Sequence, residues 1–252
     1  MNVLILAAGY ATRLYPLTLN KAKPLLEVAG KPMIGWLVDG LRGIDGIETI
    51  FVVTNAKFAA DFEKWAEEYG KAHPEFDFKI INDGSTSDAD KLGAIGDINL
   101  VLTREQLSGT DLLMIAGDNL FSNSLAAFVT QARGAEAAVA VYDVGDLEQV
   151  RKYGNVQVDS SGVITNFEEK PAKPTTTLAA IALYYYSAEV LSLVTTYIAA
   201  GNNPDQPGRF IQWLYKRKPV KTVKISGKWF DVGSKETLEE ANRIFAAYAD
   251  QP

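Results

Sequence analysis

The chain has 252 residues, 47% of them hydrophobic, and carries 25 Lys and Arg against 31 Asp and Glu for a formal net charge of −6. That length and apolar content can bury a sizeable core and exclude a disordered or fibrous chain, while the acidic balance, without a long run of one sign, excludes a surface built to coat nucleic acid or an anionic membrane. With no cysteine and one histidine, His73 beside Pro74, the chain sets aside disulfides, thiolate catalysis, Cys-ligated metals and His-based triads.

In chain order, short apolar runs alternate with segments of helical period. Val3 to Leu6 reads as a buried strand, Met33 to Arg42 as a helix and Thr49 to Thr54 as a second strand. From Phe58 to Gly70 the residues Phe58, Phe62, Trp65 and Tyr69 recur near i, i+4, i+7 and i+11, the stripe of an amphipathic helix. Strands follow at Phe78 to Ile81 and Leu112 to Ala116, then a helix with Leu125, Phe128, Val129 and Ala132 on one face, then a strand from Ala137 to Val144. After about residue 150 the pattern turns to β: a hairpin with its turn at Asp159 to Gly162, then the strand from Leu178 to Ser187. Ser234 with an acidic first turn caps a closing helix that places Leu238, Ala241, Phe245 and Tyr248 on one face. The alternation predicts an α/β fold: a three-layer αβα sandwich around a Rossmann-like, doubly wound mixed sheet, largely parallel, with an inserted β-hairpin subregion. A single domain over 1–252 is expected, with 236–252 as a closing helix. No run approaches about 18 apolar residues and the apolar start lacks a cationic flank, so the expectation is a cytoplasmic protein without membrane or nucleic-acid partners.

In such a sheet ligands bind beyond the carboxyl ends of the strands. After the first strand, Ala7, Ala8 and Gly9 let backbone N–H groups approach a polyanion, while Arg13 and Lys23 add fixed positive charge, together a phosphate cradle. Pro16 and Pro24 keep these basic residues on a loop. The spacing matches neither a P-loop nor a dinucleotide fingerprint. Asp118 follows a later strand, and Asp231 follows a short aromatic strand and precedes the closing helix; two hard carboxylates meeting near phosphates suit Mg²⁺.

Leu6-Ala7-Ala8-Gly9, Thr12-Arg13-Leu14, Pro16-Leu17-Thr18 and Lys23-Pro24-Leu25 closely resemble the signature of the sugar-1-phosphate nucleotidylyltransferases, which include glucose-1-phosphate thymidylyl- and uridylyltransferases. The resemblance extends from Met1 to about Ala241 and implies an enzyme that condenses an NTP, dTTP or UTP favoured, with a sugar-1-phosphate, glucose-1-phosphate favoured. It implies Arg13, Lys23, Asp118 and Asp231 as catalytic residues, both aspartates as Mg²⁺ ligands, and Ala7, Ala8, Gly9, Thr12, Arg13 and Gly117 at the nucleotide. It further implies Glu169 on sugar hydroxyls and Lys170 on the phosphate, with Tyr153 and Gly154 beside them, so that 1–135 is expected mainly to bind nucleotide and 136–235 mainly sugar phosphate. One departure is Ala11, where many members carry glycine; a methyl is expected to be tolerated there by a negative φ. The match weakens after the strand ending near Asn82. Asn82 could pair with a pyrimidine and Asp83 could accept from guanine, with Gly93 packing against the base, so base identity stays open. The acidic stretch 83–91 is expected as a flap beside the nucleotide.

The chain is expected to lack the left-handed β-helix that many relatives append, and it leaves room for a homo-oligomer through its flanking helices. Alternatives are a CTP-dependent enzyme acting on phosphocholine or an inositol phosphate, and a non-catalytic nucleotide-sugar sensor.

Overall fold

In a computed structural model the described residues are 1–248; residues 249–252, the end of the expected closing segment, lie outside them. The strands are β1 (Asn2–Leu6), β2 (Glu27–Val28), β3 (Lys31–Pro32), β4 (Ile50–Thr54), β5 (Phe78–Asn82), β6 (Leu112–Ala116), β7 (Asn119–Phe121), β8 (Ala137–Asp143), β9 (Gly154–Val158), β10 (Ile164–Glu169), β11 (Leu178–Tyr186), β12 (Val220–Lys224) and β13 (Trp229–Asp231). The helices are α1 (Met33–Asp39), α2 (Ala59–Ala72), α3 (Ala94–Arg104), α4 (Ala126–Ala132), α5 (Leu147–Val150), α6 (Ala188–Ala199), α7 (Pro207–Leu214) and α8 (Lys235–Phe245). The expected mixed α/β class holds, and no helix among the described residues is long and apolar enough to cross a membrane.

The chain divides into two compact units, and β6 passes from one to the other. One unit holds Val3–Lys91, Ile115–Ala126 and the stretch from Ser226 onward. Its β1 pairs parallel with β4, and β4 with β5, in the predicted parallel arrangement. The helical stripe read from the sequence is the buried face of α2: Phe62 and Trp65 are buried, with Trp65 stacked on Tyr69 at 5.1 Å. A separate apolar cluster joins Leu14, Leu26, Val28, Met33, Leu120, Val232, Ala241 and Phe245. Four of these are close chain neighbours of expected site residues. Leu14 and Leu26 anchor both ends of the Arg13 to Lys23 loop, while Leu120 and Val232 lie just beyond Asp118 and Asp231. Burying each such side chain contributes roughly 1.5–3 kcal/mol, so the site residues are held by their apolar neighbours more than by their own contacts. The expected Ser234 cap is present as a capping box with Thr237, and α8 then delivers Phe245 against Trp36 at 5.1 Å.

The other unit holds Met1–Asn2, Leu92–Met114 and Ala127–Ile225. Here the sheet is mainly antiparallel: β11 pairs with β8 and β9, and β10 with β9, while β12 runs parallel to β8. The predicted hairpin is β9–β10, and its turn is built as expected, with Asp159 Oδ1 accepting from the Ser161 and Val163 N–H groups at 2.8 and 3.0 Å. The antiparallel strands β8 to β11 and the late-arriving β12 thus dilute the parallel pattern that the alternation of the first half suggests.

Candidate active site

In the unit carrying β1, the chain leaves the strand through Ala7, whose N–H donates to the Val53 carbonyl at 2.8 Å, and Ala8, whose carbonyl accepts from Asn55 Nδ2 at 2.9 Å. Asn55 is fully buried and its Oδ1 accepts from the Phe58 N–H, so it ties the turn after β1 to the turn after β4. Asn55 is not legible as a site residue in the sequence; its one signal is an amide directly after a strand that is buried along its whole length. Gly9 is exposed, and a side chain there would meet no atom within 4 Å. The cradle is therefore open at the residue that the smallest side chain was expected to keep open.

Ala11 corrects an expectation. Its φ is 47° and its ψ 43°, in the left-handed region, not at a negative φ. An alanine there costs about 1–2 kcal/mol that glycine would not. Two bonds hold it: its carbonyl accepts from Thr18 Oγ1 at 2.8 Å and from the Leu14 N–H at 3.0 Å, with Thr18 and Leu14 both almost wholly buried. Thr12, Arg13 and Leu14 then make one 3-10 turn, which buries Leu14 and leaves Thr12 and Arg13 exposed.

Lys23 begins a second 3-10 turn with Pro24 inside it. Its ammonium lies 2.7 Å from Asp118 Oδ2, with the lysine side chain only 12% exposed. Asp118 Oδ1 accepts from Asn119 Nδ2 at 2.9 Å, and Asn119 Oδ1 in turn accepts from Trp229 Nε1 at 2.6 Å. This fixes which way the buried Asn119 amide faces. Burial pushes the Asp118 carboxyl up, but the Lys23 charge and hydrogen bond, aided by Asn119, outweigh it and hold the group below the usual carboxylate range. Gly117 supports the same corner: its N–H donates to the Leu6 carbonyl at 2.8 Å.

The structure brings Asp231 to Asp118. Strands β7 and β13 pair antiparallel with Asp231 opposite Asn119, and the Val232 N–H donates to the Asp118 carbonyl at 3.0 Å. Among the described residues no group of three or more His, Cys, Asp or Glu gathers as a metal site. Two carboxylates with an ammonium already lying on one of them still suit a hard divalent cation that takes its remaining oxygens from phosphate and water.

The segment after β5 is less available than expected. Asn82 Oδ1 accepts from the Gly84 N–H at 2.8 Å, and Asp83 Oδ1 accepts from the Ser85 N–H at 2.7 Å and from Ser85 Oγ at 2.8 Å. Both side chains are thus engaged in building the turn, and Asn82 keeps its amide N–H donors. In the stretch 83–91, Asp90 accepts from the N–H and hydroxyl groups of Thr86 and Ser87, so the acidic segment is bonded to itself. Tyr10 is buried next to this turn, and burial above all raises its phenol, with Asp90, Asp83 and Asp88 adding to the effect and Ser85 opposing it.

In the other unit, the expected acceptor residues converge. Glu169 ends β10 in register with Gly154 on β9, and the Lys170 N–H donates to the Tyr153 carbonyl at 2.9 Å. Lys170 has φ 49°, a left-handed residue at the end of the strand. Phe167 covers Gly154 so closely that a Cβ there would enter its ring. Two partners of Glu169 went unread in the sequence, because Pro207 and Gly208 signal a turn and in fact open α7. Gln212 Oε1 accepts from the Glu169 N–H at 2.8 Å, and the Glu169 carboxylate lies against the Cα of Gly208, where a Cβ would overlap Oε2. Burial raises the Glu169 carboxyl, with Lys170 and Arg209 pulling the other way. Tyr184, buried and close enough to feel the Glu169 charge, stays a neutral phenol. Because the clash at Gly208 falls on the far end of a flexible side chain, Gly208→Ala is expected to leave the melting temperature within about 2 °C. The displaced carboxylate should raise the acceptor KM about tenfold or more; unchanged acceptor kinetics would remove Glu169 from the site.

Gly93, expected at the base, has φ +78° and precedes α3, where a Cβ would lie 2.8 Å from Asp205 Cα and from the Pro204 carbonyl oxygen. The first α3 amides, Ala94 and Ile95, donate to the Asp205 and Pro204 carbonyls at 3.1 and 2.8 Å.

The sequence profile of the nucleotidyl transferase family matches residues 2–247. The chain is 28% identical over 243 residues to the bifunctional protein GlmU of Methanocaldococcus jannaschii, covering 96% of this chain and 54% of that one. It is 28% identical to a glucose-1-phosphate thymidylyltransferase of Streptomyces griseus (97% of this chain, 66% of that one), so it spans between half and two thirds of these two relatives. Over 96% of both chains it is 27% identical to the UTP–glucose-1-phosphate uridylyltransferase AglF of Haloferax volcanii. A solved UDP-glucose pyrophosphorylase in complex with UDP-glucose shares the fold, with a TM-score of 0.80 over 98% of each chain at 22% identity.

Proposed function

Because the chain belongs to the nucleotidyl transferase family, we propose that it condenses an NTP with a sugar-1-phosphate to give a nucleotide sugar and pyrophosphate, with dTTP or UTP as donor and glucose-1-phosphate as acceptor. A phosphate oxygen of the acceptor attacks the α-phosphorus in line, the new P–O bond forms, and the bond to the β-phosphate oxygen breaks. The nucleophile is already anionic at neutral pH, so no general base is needed, in keeping with a chain that has one histidine and no cysteine. The supporting observation is the Lys23–Asp118 ion pair, with Asp231 on the strand paired beside it, at the foot of the turn after β1.

Catalysis in this reading rests on position and charge. Ala7, Ala8, Gly9 and Thr12 line the path of the triphosphate, Arg13 holds the departing pyrophosphate, and Lys23 neutralises charge at the α-phosphate. Asp118 and Asp231 would hold Mg²⁺, which supplies charge neutralisation on phosphate oxygens when bound. Tyr153, Gly154, Glu169 and Lys170 take the acceptor, Glu169 through hydroxyls and Lys170 through the phosphate. The similarity of AglF and the thymidylyltransferase over nearly all of this chain supports glucose-1-phosphate as the first acceptor to test.

Pyrophosphate release is the assay: dTTP, UTP, CTP, GTP and ATP, each with Mg²⁺, against glucose-1-phosphate and phosphocholine. Release that needs both a pyrimidine nucleotide and glucose-1-phosphate is the expected result. Release only with CTP and phosphocholine would replace the acceptor class, and silence throughout with retained nucleotide-sugar binding would make the protein a sensor.

A further inference from the structure

Beside Glu169 stands a second charged group that the reaction described above does not use. Arg209 lies in the first turn of α7, next in the chain to Gly208, the residue on which the Glu169 carboxylate rests. Its position is built. Arg209 Nε donates to Gln206 Oε1 at 2.5 Å, and Gln206 Nε2 donates to Asp205 Oδ2 at 2.6 Å, so the guanidinium is held by one edge. The other edge, with both terminal nitrogens, donates to no side chain or carbonyl among the described residues, although Arg209 is half-buried. Nor does Arg209 form an ion pair with Glu169 among those residues. Its charge still reaches the Glu169 carboxyl and Tyr197, lowering both against the effect of burial.

The unengaged fork presents a planar pair of N–H groups that matches a carboxylate or phosphate in two parallel hydrogen bonds. Lys170 is already assigned to the attacking phosphate of the acceptor. Glu169 repels an anion placed on itself and accepts from hydroxyls. A single acceptor satisfies both neighbours when it carries hydroxyls toward Glu169 and a further acidic group toward Arg209.

Resting on the nucleotidyl-transfer reading, we propose that Arg209 reads a second anionic group on the acceptor, so that the preferred substrate is a sugar-1-phosphate that also bears a carboxylate or second phosphate. A neutral sugar-1-phosphate is then a slower substrate, turned over by the same displacement at the α-phosphorus.

The test compares kcat/KM for glucose-1-phosphate, glucuronic acid 1-phosphate and glucose 1,6-bisphosphate with the preferred NTP, in the wild type and in Arg209→Gln and Arg209→Lys. The wild type should favour one of the charged acceptors over glucose-1-phosphate by about ten- to a hundredfold, the worth of a charge-assisted hydrogen bond to a partly buried group. The two charged arms tell a carboxylate from a phosphate. In Arg209→Gln that ratio should collapse toward one, and Arg209→Lys, which keeps the charge but not the fork, should retain part of it. A wild-type preference for glucose-1-phosphate or for phosphocholine overturns the proposal, as does an unchanged ratio in either variant. Should Arg209→Gln fail to fold, Arg209→Lys carries the same reading of the ratio. Pyrophosphate release from glucose-1-phosphate alone would leave the nucleotidyl-transfer reading standing and refute the role of Arg209, whereas no release from any acceptor would refute both.

Discussion

Asp118→Asn is expected to lower kcat/KM for pyrophosphate release by about a thousandfold, near 4 kcal/mol of transition-state stabilisation, while the protein remains folded. The amide is nearly the same size and still offers an oxygen to Asn119 Nδ2, so the Trp229–Asn119 relay keeps its shape. What disappears is the negative charge that faces the Lys23 ammonium at 2.7 Å. Two losses follow. In the proposed reading a divalent cation loses one of its two protein carboxylates, and Lys23, 12% exposed, is left without its counter-charge. The pH dependence of stability checks the structural half. Because the folded carboxyl lies below its unfolded value, its contribution is present above the unfolded value and is lost as pH falls through the folded one. Urea midpoints of the wild type should therefore drop more steeply than those of Asp118→Asn across that acid window. Wild-type turnover in the variant would sink the assignment of Asp118, and parallel acid profiles would show that its charge adds nothing to the folded state.

Gly93→Ala should produce the largest loss of stability, about 3 kcal/mol or more, and lower the melting temperature by about 6–12 °C. With φ +78° and ψ 162°, Gly93 occupies a region that is essentially closed to other residues, and the added methyl would also meet backbone atoms of Pro204 and Asp205 at 2.8 Å. Backbone cannot yield as a side chain end can, which separates this glycine from Gly208. The strained junction also positions the Ala94 and Ile95 amides on the 204–205 carbonyls, so both bonds are put at risk. Measured well below its transition, the variant should keep most of its nucleotide affinity. An unchanged melting temperature together with lost nucleotide binding would instead make Gly93 a direct contact of the base.

The comparison of Gly93 with Ala11 shows where a linear reading stops. The sequence offers Gly93 as backbone for a base to pack against and Ala11 as a methyl to be tolerated at a negative φ. What decides each is a backbone angle imposed by distant partners, the 204–205 carbonyls for Gly93 and Thr18 with Leu14 for Ala11. Asn82 and Asp83 make the same point in polar terms. Their donor and acceptor groups suggested base recognition, and the local turn claims most of the acceptor capacity first.

From its own order of residues the chain determined the strand and helix alternation of its first half, the Asp159 turn, the Ser234 cap and the small-residue exit from β1. Each of these depends on neighbours within a few positions, where period, turn chemistry and capping act. Tertiary structure alone decided that Asp231 meets Asp118, through the pairing of β13 with β7, and that Lys23 lies on that carboxylate. It also decided that the first turn of α7, which carries Arg209, lies against the Glu169 carboxylate at the end of β10. Those arrangements join residues 40 to more than 100 positions apart. The meeting of Lys23, Asp118 and Asp231 is set by which apolar neighbours share a core: Leu14, Leu26, Leu120 and Val232 bury themselves in one cluster and bring the charged residues beside them to one place.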